Sequence, residues 1–127
     1  MPYFEPCNIL DMDLENSKAQ LKKGVLEYCI LSIISRGEAY ASDILEEMKD
    51  SELIVVEGTL YPLLTRLKNA GLLEYKWVES KSGPPRKYYK LTDKGIKFLE
   101  KLTETWDELI RSTDMITSRS NSQTETN

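Results

Sequence analysis

Histidine is absent from this 127-residue chain, and cysteine occurs only twice. Without histidine there is no imidazole base for a serine or cysteine nucleophile, and no His-containing metal site can be assembled. Neither cysteine belongs to a CxxC pair, so a structural zinc site or a dithiol redox motif is not expected either. Cys7 lies in a polar N-terminal stretch, whereas Cys29 lies within LEYCILSII and reads as a small packed hydrophobe. No carboxylate pair falls in an evident cleft, and no glycine-rich loop is built to cradle a phosphate. These gaps argue against an enzyme, and neither a cofactor nor a metal is expected. No apolar run reaches spanning length, and the N-terminus does not read as a signal peptide. With so little cysteine, a reduced, cytoplasmic setting is the expectation.

An excess of positive charge is also missing. The net charge is −4, which by itself argues against a nucleic-acid partner. The distribution says otherwise. Residues 1–60 hold 5 basic against 12 acidic side chains, and residues 98–127 hold 3 against 6. Residues 61–97 reverse the balance, with 9 basic against 3 acidic. An acidic chain therefore carries one strongly basic segment, and local charge steers partners.

The apolar pattern predicts four helices and one hairpin, a mainly α fold. Residues 1–17 show no clean period and read as an N-terminal arm. The first helix is expected over Lys18 to Arg36. It is apolar nearly all round from Val25 to Ile34, so it must be covered on more than one side. Within a small domain one side meets the core, and a second subunit is the simplest cover for the other. Ser42 is the expected N-cap of a short second helix, with Asp43 in its first turn. A third helix runs from about Glu57 to Ala70 and stops at Gly71. Two strands follow, Leu72 to Glu79 and Arg86 to Leu91, around a tip at Ser80 to Pro85. Thr92 then caps a long fourth helix reaching about Ile116. The polar stretch from Thr117 to Asn127 is expected to be disordered.

The third helix carries the functional signal. In EGTLYPLLTRLKNAGLLEYKW, at about 100° per residue, Leu60, Leu63, Leu64 and Leu67 share one face. Gly58, Thr59, Pro62, Thr65, Arg66 and Asn69 share the other, with Tyr61 and Lys68 at the boundary. The outer face near the N-terminus is thus small and flat, with hydroxyls and an Arg, as a helix entering a DNA major groove requires. The hairpin that follows carries Lys81, Arg86, Lys87 and Lys90 and reads as a wing against phosphate. Its aromatics, Tyr75, Trp77, Tyr88 and Tyr89, are expected first to pack across the strands on the core side.

The runs LEYCILSIISRGEAYASDI, EGTLYPLLTRLKNAGLL and SGPPRKYYKLTDKG, with Trp106 in the last helix, resemble the PadR-like transcriptional regulators, in particular the compact subgroup with a single C-terminal helix. The likeness covers roughly Lys18 to Ile116. It implies a winged helix-turn-helix domain over 18–91, a dimerisation helix over 92–116 and a homodimer built by the first and last helices. It also implies a repressor of transcription that binds double-stranded DNA at a roughly palindromic operator and is released by a small aromatic ligand. By position, the DNA contacts implied are Thr59, Tyr61, Pro62 and Arg66 on the third helix, with Lys23, Arg86 and Lys87 touching phosphate. Trp106, faced by Leu21 and Tyr28, matches the tryptophan that lines a flat ligand pore at the dimer centre of multidrug-binding relatives. The competing reading is a winged-helix module that binds another protein and no DNA, which the acidic net charge favours.

Overall fold

The computed structural model describes residues 6–126, with side chains described for 11–119. Seven elements follow in order: α1 Pro6–Ser35, β1 Ala39–Tyr40, α2 Ala41–Asp50, α3 Glu57–Asn69, β2 Leu73–Ser80, β3 Gly83–Leu91 and α4 Asp93–Thr126. The three strands form an antiparallel sheet in the order β1-β3-β2.

Helix α1 starts well before Lys18. Pro6 occupies its first position, where a missing N–H costs nothing because no intrahelical partner exists for it. Pro6 thus opens a helix where the sequence suggested an arm. The first five residues of that arm lie outside the described residues, as does Asn127. At the other end α4 runs through Thr126, past the start of the expected disordered tail.

Ala41 rather than Ser42 opens α2. The N-cap is Tyr40, in extended conformation, which places Asp43 at the third helical position. There its carboxylate accepts the Tyr40 backbone N–H at 2.9 Å, close to the positive end of the helix dipole. Tyr40 is also the last residue of β1, so one residue ends a strand and starts a helix. In the hairpin the turn is tighter than expected. Lys81 and Ser82 alone separate the strands, and Pro84 and Pro85 fall inside β3. Ser80 pairs with Gly83 and Val78 with Arg86, so β3 holds an extra residue there. A bulge accommodates prolines, which cannot donate to a ladder.

The core is where these elements meet. Leu26, Ile30, Leu31 and Ile34 bury one side of α1, and Ile44 and Met48 come from α2. Leu60, Leu64 and Leu67 contribute the leucine face of α3, with Leu63 partly buried against them. Each leucine removed from water is worth about 2 kcal/mol. The end of α3 is tied directly to the sheet. Gly71 adopts φ +81°, its N–H reaches the Lys68 carbonyl, and the Leu72 N–H reaches the Leu67 carbonyl at 3.0 Å. This paired closure needs a residue free to take a left-handed backbone. The Thr92 hydroxyl donates to the Gly71 carbonyl at 2.6 Å and accepts the Gly95 N–H at 3.0 Å, capping α4 at the same junction. A Cβ on Gly95 would come within 2.1 Å of the Leu72 carbonyl oxygen, so α4 approaches the residue leading into β2 at backbone distance. The outer face of α3 and the hairpin are therefore held in a fixed relation.

Candidate nucleic-acid interface

Every residue on the expected outer face of α3 is exposed: Gly58, Thr59, Pro62, Thr65, Arg66 and Asn69, together with Tyr61 and Lys68. Pro62 lies a full turn inside the helix, so it cannot donate to the Gly58 carbonyl. The thinnest part of the outer face therefore also has locally weakened helix bonding. Glu57 sits at the first helical position, where its charge suits the dipole.

The residues marked by sequence divide into groups. Lys23 lies on α1 and lines an open apolar groove with Leu26 of the same helix and Gly58, Thr59 and Pro62 of α3. On the other flank of α3, Tyr61 shares a cleft with Trp77, Arg86 and Lys87 of the hairpin. Arg66 is directed elsewhere: its guanidinium donates to the Glu27 carboxylate of α1. Thus α3 has Lys23 on one flank and the wing on the other, with Arg66 tethered. Leu21 is 74% exposed, two turns before Tyr28 on α1. Tyr28 and Trp106 do meet, with ring centroids 5.9 Å apart, and the Tyr28 hydroxyl donates to Thr103 Oγ1 at 3.1 Å.

The wing cations are held in an unusual way. By strand alternation, Tyr75, Trp77, Lys87 and Tyr89 share the sheet face toward α3. Lys87 Nζ stands 4.6 Å from the Tyr75 ring centroid and 5.4 Å from that of Trp77. Lys68 of α3 reaches the same Tyr75 ring at 5.7 Å. Arg86 points to the β1 edge, its guanidinium 4.0 Å from the Tyr40 ring centroid and donating to Ser42 Oγ at 2.5 Å. Among the described residues, none of these three cations forms an ion pair. On the opposite face Lys76 pairs with Glu38 at 3.5 Å and Lys90 with Glu74 at 3.2 Å.

Sequence reasoning missed two features here. Cross-strand packing on the core side accounts for Tyr75 and Tyr89, 5.7 Å apart, whereas strand alternation turns Tyr88 to the opposite face, where it packs with Tyr40 at 4.7 Å instead of on the core side as expected. Trp77 packs edge-on against Tyr75, its one ring partner among the described residues, and remains 61% exposed, so core packing does not explain it. Lys68, assigned to the boundary, faces the wing. Its seven-residue spacing from Tyr61, on the flank that also carries Thr65, was the available signal. Burial pushes the Tyr89 hydroxyl above its ordinary value, with Tyr61 and Tyr75 adding to the effect. Burial likewise raises the Cys29 thiol, which makes it a poor nucleophile. No group of three potential metal ligands occurs among the described residues, and no described helix is long and apolar enough to cross a membrane.

Comparison with known proteins places this architecture. The family model described as "Transcriptional regulator PadR-like family" matches residues 30–101. A crystal structure of a PadR-like transcription factor from Bacteroides fragilis is 59% identical, with a TM-score of 0.70, over 80% of this chain and 98% of that one. A PadR family transcriptional regulator from Eggerthella lenta is 30% identical with a TM-score of 0.77, over 85% and 95%. A PadR-like transcriptional regulator from Bacillus cereus is 40% identical with a TM-score of 0.67, over 76% and 95%. An uncharacterized protein of Lysinibacillus sphaericus is 27% identical over 101 residues, covering 77% of this chain and 93% of its own length.

Proposed function

We propose that this chain, which belongs to the PadR-like family of transcriptional regulators, is a cytoplasmic, non-enzymatic repressor that reads double-stranded DNA as a homodimer. The observation that carries the reading is the exposed outer face of α3 beside the wing cations Arg86 and Lys87, which form no ion pair among the described residues. In this reading Thr59, Tyr61, Pro62 and Arg66 address the major groove, while Lys23, Arg86 and Lys87 hold phosphate on its two sides. Residues 18–91 form the reading domain and 92–116 the dimerisation helix.

The second subunit is supported by what the single chain leaves uncovered. Phe98, Leu109, Ile110 and Met115 of α4 are exposed, as are Met12, Leu14 and Leu21 of α1. Large apolar side chains left exposed along both long helices are the kind of surface that an interface covers. A twofold dimer would read half-sites about one helical turn apart, ~34 Å, on a roughly palindromic operator. Tyr28 and Trp106, with Leu21 exposed on the same helix, would line a flat slot at the dimer centre. A small aromatic ligand there would stack on Trp106 and release the DNA.

The test is binding of the purified protein to the DNA upstream of its own gene across a salt series, beside Arg66→Ala, with the oligomeric state measured by light scattering. The expected result is a dimer whose affinity falls steeply with salt. Arg66→Ala should bind about tenfold more weakly to that DNA. A monomer, or equally weak binding of both proteins to operator and scrambled duplexes, would overturn the reading.

A further inference from the structure

Two ammonium groups converge on one ring between α3 and the wing. Lys68 Nζ lies 5.7 Å from the Tyr75 ring centroid and Lys87 Nζ 4.6 Å from it. Both side chains line a single cleft of about 210 Å³, together with Thr65, Asn69 and Tyr89. None of the lining residues carries a carboxylate. A ring face attracts a cation without cancelling its charge. Two like charges gathered this way repel each other, and the arrangement becomes favourable when an anion enters between them.

Position identifies that anion. A helix in a major groove and a hairpin at the next minor groove are separated by one sugar-phosphate strand. The cleft lies in this gap, between α3 and β3. It continues into the neighbouring cleft of Tyr61, Trp77 and Arg86, since Lys87 and Tyr89 line both. The result is a trough along α3 that carries three cations and no acid.

We propose that Lys68 and Lys87 seat one backbone phosphate of bound DNA, with Tyr75 as the residue that positions both ammonium groups. The Thr65 hydroxyl and Asn69 amide stand in the same cleft as further donors. Neither Lys68 nor Tyr75 is among the residues that sequence and family likeness mark for DNA. The proposal rests on the DNA-binding reading and adds a sequence-independent contact to it. A phosphate seat fixes register and carries no base preference.

The experiment measures anisotropy of two labelled duplexes, the upstream DNA and a scrambled version, over a salt series starting low enough for non-specific binding. The proteins are the wild type, Lys68→Gln, Lys68→Arg, Tyr75→Phe and, as a back-face comparison, Lys76→Gln. Lys68→Gln should weaken binding to both duplexes by a similar factor, roughly three- to tenfold, and reduce the salt slope by about one. Lys68→Arg and Tyr75→Phe keep the charge and the ring, and should bind close to wild type. If Lys68→Gln keeps the wild-type slope and behaves like Lys76→Gln while the wild type still binds steeply with salt, the seat is wrong and the DNA reading stands. If the wild type binds neither duplex even at low salt, both fall.

Discussion

The two faces of the small sheet use the same kinds of side chain for opposite ends. On the back face each lysine has a carboxylate: Lys76 has Glu38, in addition to the Tyr88 ring 5.7 Å away, and Lys90 has Glu74. On the face toward α3, Lys87 rests on Tyr75 and Trp77, and at the β1 edge Arg86 rests on Tyr40. A carboxylate cancels a charge, whereas an aromatic ring holds it in place and leaves its field intact. The difference shows how a chain of net charge −4 can present a positive surface. What matters is which cations are left without an acid.

The largest effect should come from reversing one charge on each face. Lys87→Glu is expected to lose about a hundredfold in DNA affinity, because a carboxylate would face the phosphate strand. Lys76→Glu should stay within about threefold, as its charge is already spent on Glu38. Both affinities would be measured on one operator duplex at one salt concentration. Similar losses in the two variants would mean that the faces differ in appearance only.

Arg66 sharpens the contrast because it belongs to both classes. It lies on the outer face of α3, yet Glu27 of α1 holds its guanidinium. If pairing silences a cation, Glu27→Gln should tighten DNA binding by about threefold while lowering stability by about 0.5 kcal/mol, as expected of an exposed pair. A titration of operator DNA paired with a urea melt would read both. Unchanged affinity would show that Arg66 changes partner freely on binding. Glu27 would then be a parking place for the side chain and no restraint on it.

The same contrast marks where sequence reasoning reached and where it stopped. The leucine face of α3 was legible because four leucines at helical spacing have one physical solution, and Leu60, Leu64 and Leu67 are buried as that solution requires. The hairpin was legible from two alternating runs around turn residues. β1 was not, because two residues carry no period and their only signal is the partner strand, at Tyr88 and Tyr89. The start of α1 was hidden by Pro6, which a first helical turn tolerates. The ion pair of Arg66 was out of reach for a different reason. Glu27 lies 39 residues away, and side-chain pairing over that distance follows from how α1 crosses α3. The same holds for Lys68, whose helical position was evident but whose neighbour across the cleft was not. Local chemistry was readable, and the acid-or-ring environment that decides each cation's use was a product of the fold.

The smallest predicted effect asks whether the rings of the trough are scaffold or surface. Tyr89 serves both, being 4% exposed in the core while lining the two clefts beside α3. Burial, then Tyr61 and Tyr75, raise its hydroxyl above the ordinary value of 10.0. The folded chain therefore keeps this proton at a pH where the unfolded chain has released it, so alkalinity favours unfolding. The contribution is intact below pH 10.0 and declines as the pH rises through the raised folded value. Tyr89→Phe has no proton to lose, and its stability should fall less over the same alkaline interval. Chemical denaturation of both proteins at matched pH values on either side of 10 measures the difference. Parallel declines would show that Tyr89 ionises as readily in the folded chain as in the unfolded one. The aromatic floor of the trough would then be an open surface rather than an extension of the core.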